Sequence, residues 1–302
     1  MFVVKYRKIF FLPSALFVGL SLLALFSWGL KPGIEFTGGA LIEISYVGEV
    51  PSKEGVEERL NNLAIGTYSL RPTAESGYLL KTRDLSDVEQ TAVLEALSLN
   101  EEAPLTVLQL SSIGPTLGTE LFRKGIVAIS AVMLAIVLYI AYTFRHVSKP
   151  VASWKYGVIA ILALIHNILI PVGLFALLGH FVGVEVDVLF LVALLTILGS
   201  SVNDTIVVFD RVRENLKDNQ RLNRVEDFEL TVGKSLQQTY ARSVNISLAI
   251  LFVLLALFFF GGSSTQDFSL TLLVGVIAGT YSSIFLATPL LVTLEQFQKR
   301  RA

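Results

Sequence analysis

The feature that most constrains this chain is a series of long segments that contain no Asp, Glu, Lys or Arg. A helix that crosses the hydrocarbon core of a bilayer needs about 20 apolar residues. The candidate segments are 9–30, 125–144, 156–184, 188–203, 243–266 and 268–294. The fourth reaches spanning length only if it continues past Asp204 to Phe209. The sequence therefore predicts an α-helical polytopic membrane protein with six transmembrane helices.

Composition narrows the chemistry that the chain can carry. Hydrophobic residues make up 53% and charged residues 16%, which disfavours a soluble enzyme. The absence of cysteine excludes disulfides, thiolate zinc sites and iron–sulfur clusters, and the three histidines lack metal-ligand spacing. A net charge of −1 disfavours a nucleic-acid binder. We expect no catalytic constellation, no metal and no cofactor.

Lysine and arginine residues mark one side of the membrane. They precede the first span, lie between the second and third, fill the connection 211–234 and follow the last span at 299–301. The short connections 180–187 and 261–267 contain neither residue type. By the positive-inside rule, both termini are expected in the cytoplasm and residues 31–124 outside. The first span is expected to be an uncleaved anchor, because no Ala-x-Ala pattern precedes Lys31.

Residues 31–124 separate the N-terminus with the first span (1–30) from the other spans (125–302), and their composition is that of a soluble domain. Their periodicity predicts strands at 39–47, 67–71, 78–82 and 105–110, helices at 51–63 and 86–99, and a turn at 72–77. The order βαββαβ is that of a small α+β ferredoxin-like domain. Its acidic side chains fall on polar helix faces, so its expected role is contact with a polypeptide or a subunit.

Asp204 is the most informative residue, because a carboxylate at membrane depth costs about 2.5 to 3.5 kcal/mol on insertion scales. It follows Asn203, and helical spacing places it on one stripe with Ser200 and Arg211. One interpretation is a structural clamp to a neighbouring helix. We favour the other, an ionisable site that binds and releases a proton or a cation.

Other polar or small residues lie near the same depth. Arg242 is either the cationic partner of that carboxylate or an anchor that reaches the headgroups. His166 is either a proton carrier or a packed side chain, and Asn167 is expected to form hydrogen bonds only. In the sixth span, Gly275 and Gly279 form a Gly-x-x-x-Gly pair, interpreted as helix packing and as a candidate contact for a second set of helices.

Two stretches, GIEFTGG at 33–39 and SVNDTIVVFDRVREN at 201–215, closely resemble the signature segments of the SecF family, the smaller subunits of the bacterial SecDF translocase. The resemblance extends over nearly the whole chain. Outside the apolar part of the fourth span, the matching residues are Gly33, Glu35, Phe36, Thr37, Gly38, Gly39, Asp210, Arg211, Arg213 and Glu214.

The resemblance implies half of an RND-type bundle that works with SecD in the bacterial cytoplasmic (inner) membrane. Such a subunit uses the proton-motive force, or sodium in its place, to assist translocation of an unfolded preprotein after SecA has acted at the SecYEG channel. The coupling residues implied are Asp204 and Arg242. The family usually has Asp where this chain has Glu35, and commonly has His-Asp where it has His166 and Asn167, so no relay role is carried over to position 167.

Three other classes compete with this interpretation. An RND-type exporter of small molecules or lipids shares the architecture, but normally carries two such halves and larger outer domains in one chain. An intramembrane aspartyl protease needs two facing aspartates, and Asp204 is the single aspartate within an apolar segment. A membrane scaffold would tolerate Asp204→Asn. The exporter subunit remains the alternative.

The charge distribution predicts the side of each connection. Reporter domains fused after Leu30 and after Gly262 should be outside, and those fused after Phe144 and Asn215 inside. Reporters whose activity depends on the compartment measure this directly. An internal reporter at Gly262 would contradict the six-span topology.

Overall fold

In a computed structural model of the chain, residues 2–63, 65–73, 76–99, 103–143 and 153–299 are described. The chain divides into two compact units, Met1–Lys31 with Val127–Ala302 and Pro32–Ile126. The basic positions 145, 149, 300 and 301, which contributed to the orientation above, lie outside the described residues, as do 74 and 75 of the predicted turn.

The helices in chain order are α1 (Phe2–Lys5), α2 (Arg7–Trp28), α3 (Ile34–Thr37), α4 (Lys53–Asn61), α5 (Asp87–Leu97), α6 (Pro115–Thr143), α7 (Ser153–Phe181), α8 (Val188–Arg221), α9 (Phe228–Phe260), α10 (Ser263–Tyr281) and α11 (Thr288–Lys299). A π-helical turn, Ser282–Ala287, joins the last two. The strands are β1 (Gly39–Tyr46), β2 (Ser69–Thr73), β3 (Gly77–Thr82) and β4 (Leu105–Ile113).

The prediction of six spans is confirmed. Among the described residues, the helices long and apolar enough to cross a membrane are Arg7–Trp28, Pro115–Thr143, Trp154–Phe181, Val188–Arg221, Phe228–Phe260 and Thr265–Phe297. Several of them extend well beyond the charge-free segments. The fourth, α8, continues as a helix through a polar stretch to Arg221, and α9 begins at Phe228. A charge-free segment thus marks the apolar part of a helix and not its ends.

The smaller unit has the predicted βαββαβ order. Its strands form one antiparallel sheet in the order β2-β3-β1-β4, as in a ferredoxin-like domain. Alternate residues of β1 are buried, Ala40, Ile42 and Ile44 among them, and they form a core with residues of α4 and α5. The predicted turn 72–77 is shorter than expected, because Pro72 pairs with Tyr78. An edge strand tolerates proline, since it needs no donor on its outer side.

Helix α5 is held at its start by a capping box. Ser86 Oγ accepts a hydrogen bond from Glu89 N, and the Glu89 carboxylate accepts one from Ser86 N at 2.9 Å. The same carboxylate pairs with Arg83. The hydrogen bond from Arg83, followed by those from Ser86, lowers the pKa of Glu89 from its ordinary 4.5 to about 2.

The larger unit is a helical bundle with α7 and α8 at its centre. A buried cluster joins them to α9 and α11; its largest members include Tyr156, Ile159, Leu164, Phe209, Phe228 and Leu291. Helix α2 approaches α7 closely at Gly173, where a Cβ atom would lie 2.3 Å from Ser21 Cα. Helix α8 begins at Val188 because the Asp187 carboxylate accepts a hydrogen bond from Phe190 N at 2.7 Å.

The shifted pKa of Glu89 predicts a pH-dependent helix start. The folded-state pKa lies below the unfolded one, so the stabilisation is present above about pH 4.5 and is lost as the pH falls toward about 2. Glu89→Gln should therefore speed amide hydrogen exchange in α5 at neutral pH, and its difference from the wild type should vanish in acid. Glu95→Gln on the same helix is the matched control, and an equal effect there would contradict the capping argument.

Candidate functional site

Asp204 lies in a cleft between three membrane-spanning helices. Helix α8 contributes Ser200, Ser201, Asn203 and Asp204, α9 contributes Ile246, Ser247 and Ile250, and α10 contributes Gly275, Val276 and Gly279. The cleft has a volume of about 60 Å³, enough for a few water molecules and too small for a lipid or a drug-sized molecule. The structure thus brings three predicted site residues of α8 together with both predicted glycines.

The two glycines form the α10 wall of the cleft. A Cβ atom on Gly275 would lie 2.1 Å from Ile197 Cδ1, and one on Gly279 would lie 3.4 Å from Ser201 Cβ. The missing side chains therefore let α10 approach α8. This contact agrees with the interpretation of the Gly-x-x-x-Gly pair as helix packing, and a contact of the same residues with a second set of helices stays a prediction.

The Asp204 carboxyl makes no hydrogen bond or ion pair with any residue that the structure describes. Arg242 is exposed and forms no ion pair with it. Arg242 nonetheless occupies a position on α9 that is near the cleft. On α9, Arg242 lies one turn from Gln238, which accepts a 2.6 Å hydrogen bond from Arg211 of α8, and one turn from Ile246 of the cleft. Arg242 thus lies one helical turn beyond the cleft, on the face of α9 turned toward α8.

A buried series of hydrogen-bonded polar side chains runs from α7 to Ser201 in the cleft wall. His166 Nδ1 is 2.9 Å from Asn167 Oδ1, and Asn167 Nδ2 donates to Ser201 Oγ. One turn further along α8, the Thr205 hydroxyl lies 3.0 Å from the Ser283 hydroxyl of the π-helical turn. The predicted hydrogen-bonding role of Asn167 agrees with this geometry. His166 lies at the far end of this series of hydrogen bonds and not in the cleft.

The π-helical turn ends at Ala287, two residues before Pro289. Proline cannot donate a backbone hydrogen bond, and a widened turn is a common way for a helix to accommodate the missing bond. The Thr288 hydroxyl donates to Ser283 O at 2.8 Å and satisfies a carbonyl of the widened turn. The turn places both Ser282 and Ser283 in the bundle interior.

Sequence reasoning missed several hydroxyl side chains of the site: Ser201, Thr205, Ser247, Thr280 and Thr288. Ser247 and Thr280 join α9 to α10 through a 2.7 Å hydrogen bond. A signal was present in the four-residue spacing of Ser201 and Thr205, which places both on one face of α8. It does not reveal the partners, which lie on other helices.

The first signature stretch, 33–39, forms a tight backbone turn. The one-turn helix α3 ends at Gly38 and Gly39, whose φ angles of 81° and 138° suit glycine. A Cβ on Gly38 would lie 2.6 Å from Pro115 Cα, so the turn packs directly against the start of α6. Phe36 is buried and stacks edge-on with Phe122. Gly33 accepts a hydrogen bond from the Thr37 hydroxyl, and Glu35 is half-buried beside them.

The second half of the other signature stretch, 201–215, links α8 to neighbouring helices. Arg213 pairs with Asp210 and reaches Thr143 O of α6 at 3.5 Å, while Arg211 pairs with Glu214. Asn215 Nδ2 donates to Ser235 Oγ at 2.8 Å. These bonds hold α8 against α6 and α9 beyond the apolar segment.

Comparisons with known proteins agree with this architecture. The family described as protein export membrane protein SecD/SecF, C-terminal, matches residues 93–297. The protein translocase subunit SecF of Thermobaculum terrenum is 40% identical over 306 residues, which cover 97% of this chain and 93% of the relative. The SecF subunit of Anaerolinea thermophila is 36% identical over 296 residues, which cover 97% and 94%.

Two solved structures are similar to this chain over nearly its whole length. A crystal structure of SecDF, a translocon-associated membrane protein from Thermus thermophilus, has 33% sequence identity and a TM-score of 0.79 over 97% of this chain. A structure of SecDF in a super-membrane-facing form has 34% identity and a TM-score of 0.66. This chain spans 38% and 39% of those two chains.

The close contact at Gly275 predicts an asymmetric response to alanine. Gly275→Ala should destabilise the bundle by about 1 to 3 kcal/mol, because the fully buried Ile197 must move. Gly279→Ala should cost much less, since its Cβ would make an ordinary contact. Unfolding in mixed micelles measures both. Adding Ile197→Ala should offset part of the Gly275→Ala cost, and strict additivity would contradict this packing.

Proposed function

The chain belongs to the SecF family of protein translocase subunits, and on that basis we propose that it works with a SecD subunit to couple an ion gradient to protein translocation. A role in protein translocation follows from the family. The finer steps proposed are coupling to the proton-motive force through Asp204 and action after SecA and the SecYEG channel. The subunit carries out no covalent chemistry of its own.

The observation that carries the proposal is a carboxyl group without a partner in a water-sized cleft among spanning helices. A structural clamp would be expected to hold its partner in the structure, and Asp204 has none among the described residues. A carboxyl group in a small polar cleft can gain and lose a proton as water reaches it. One elementary charge that crosses the membrane releases about 2.3 kcal/mol per 100 mV, enough to bias a two-state element.

Arg242 is proposed as the cationic partner in another state of the cycle. It lies on the face of α9 turned toward α8, and its long side chain spans more than one helical turn. Pairing with the carboxylate in one state and release in another would give Asp204 two electrostatic environments. The pair would then switch the ionisation of the site.

The SecD partner is supported by surfaces that this chain leaves uncovered. The cleft has an open side, and in the apolar part of α6 only 6% of the residues are buried. An ionised group left toward lipid would keep its insertion penalty, so a second set of helices is proposed to close the cleft.

The smaller unit is proposed to contact unfolded preprotein or the partner. Its edge strand β4 pairs with β1 and with no other strand among the described residues, and it carries the exposed side chains of Val107, Leu108 and Leu110. A long apolar edge strand can accept an extended polypeptide by strand addition. This unit is proposed to lie outside the cytoplasmic membrane, with both chain termini in the cytoplasm.

The alternative, a subunit of a small-molecule or lipid exporter, is less well supported. Such a substrate needs a pocket of roughly 300 to 1,000 Å³, and the cleft holds about 60 Å³. The coupling ion, a proton or a sodium ion, fits that volume.

The coupling role predicts a loss of function without a loss of folding. Asp204→Asn should insert normally but reduce gradient-stimulated export in membrane vesicles to the level without a gradient, and Asp204→Glu should retain part of it. Asp210→Asn is the matched control, because that carboxylate lies on the same helix and pairs with Arg213. Full stimulation in the Asp204→Asn variant would return Asp204 to a structural role.

A second prediction concerns the partner. Reconstituted alone in proton-tight vesicles, the chain should not carry protons, whereas the chain with its SecD-like partner should. Internal pH is followed under an imposed gradient. Equal proton flux in the two preparations would contradict the proposal that the site is completed by a second subunit.

A further inference from the structure

The cleft is connected to a histidine inside the bundle. Ser201 lines the cleft one turn before Asp204, and its hydroxyl is also the end of the chain that runs through Asn167 to His166. These three side chains belong to residues that are at most 4% exposed. The chain of hydrogen bonds therefore joins a buried titratable group to the wall of the candidate site.

The Asn167 amide gives this chain a direction. Its Nδ2 atom is a donor, so Ser201 Oγ accepts that bond. Its Oδ1 atom is an acceptor only, so His166 must carry a proton on Nδ1. The other ring nitrogen, Nε2, is buried and has no hydrogen-bonding partner within the described ranges.

The hydroxyl hydrogen of Ser201, at the cleft end of this series of hydrogen bonds, is not used within the series. The Ser201 hydroxyl accepts from Asn167 and donates to no other described side chain or carbonyl. Because Ser201 lines the cleft, this hydrogen is available to the groups there. A donor at this position stabilises an ionised carboxylate.

We propose that His166 is a positioning residue: through Asn167 it holds Ser201 as a hydrogen-bond donor to the cleft. This inference rests on Asp204 being the coupling site. In the reversed chain, Asn167 would donate to His166 Nδ1, Ser201 would donate to Asn167, and the cleft would meet an acceptor. The two directions require a different state of His166 Nδ1, so they can be told apart.

The first test reads the histidine directly. The full chain with its SecD-like partner is placed in lipid bilayers with ¹⁵N-labelled histidine, and the His166 signal is assigned as the one lost in His166→Gln. We expect a proton on Nδ1. A bare Nδ1 would overturn the proposal.

The second test removes the Ser201 hydroxyl, at the cleft end of the series of hydrogen bonds. Ser201→Ala removes the acceptor that orients the Asn167 amide, so the His166 spectrum should change to a mixture of states. Ser200→Ala is the matched control, because Ser200 lines the same cleft but donates to Ile197 O of its own helix at 3.2 Å. Identical His166 spectra in the two variants would overturn the proposal.

The third test is functional and separates positioning from packing. His166→Leu should reduce gradient-stimulated export about fivefold or more, and His166→Gln, which retains an N–H donor, should recover most of it. Equal losses in both variants would overturn the proposal. If Asp204→Asn exports normally, the proposed function fails whatever the spectra show. If Asp204→Asn is inactive and His166 lacks the Nδ1 proton, the present inference alone fails.

Discussion

Inside a bilayer there is no water to satisfy a polar group, so a polar side chain in the spans needs a partner on its own helix, as Ser200 has in Ile197 O, or on another helix. Among the described residues, the hydrogen bonds that join spanning segments near the cleft include Asn167 to Ser201, Thr205 to Ser283, and Ser247 to Thr280. All three lie around the same part of α8. The Asp204 carboxyl, between them, has no such partner within the described part of the chain. These side-chain bonds tie α8 to α7 and to the π-helical turn, and tie α9 to α10.

Small side chains make this arrangement possible. Gly275 and Gly279 let α10 approach α8, and both residues also line the cleft. The small hydroxyl side chain of Ser201 lies beside Gly279 and reaches Asn167 on α7. Close packing and a small polar cavity therefore come from the same residues, because a side chain at Gly275 would meet Ile197 and one at Gly279 would lie against Ser201 in the cleft wall.

Much of the fold can be predicted from the sequence because the signals are local. The charge-free segments predict the six spans, and the alternation around Ile42 and Ile44 predicts a strand of the smaller unit. The spacing of polar residues also places Asp204 and Ser200 on one face of α8. Helix ends were less predictable, because α8 continues as a helix where its sequence becomes polar.

The partners across helices could not be predicted, because they depend on which helices are neighbours. Ser201 and Thr205 are ordinary residues for an apolar helix, and their importance follows from Asn167 and Ser283, which are distant in the sequence. The edge position of β2 is likewise a property of the sheet, so Pro72 was assigned to a turn. For the same reason, the helix against which Gly275 packs could not be named from the sequence.

The π-helical turn has a consequence for the phase of the last span. It accommodates one residue more than an α-helical turn, and each residue of an α-helix corresponds to about 100° of rotation. The part of the span after Ala287 is therefore rotated by about that angle relative to an uninterrupted helix through Tyr281. Leu291 and Val292 face the bundle core because of this offset. A helical wheel drawn through the whole span therefore places these two residues on the side away from the core. Deletion of a single residue within 282–287 would rotate the helix that follows, so that its buried apolar face would turn away from the core and another face would replace it.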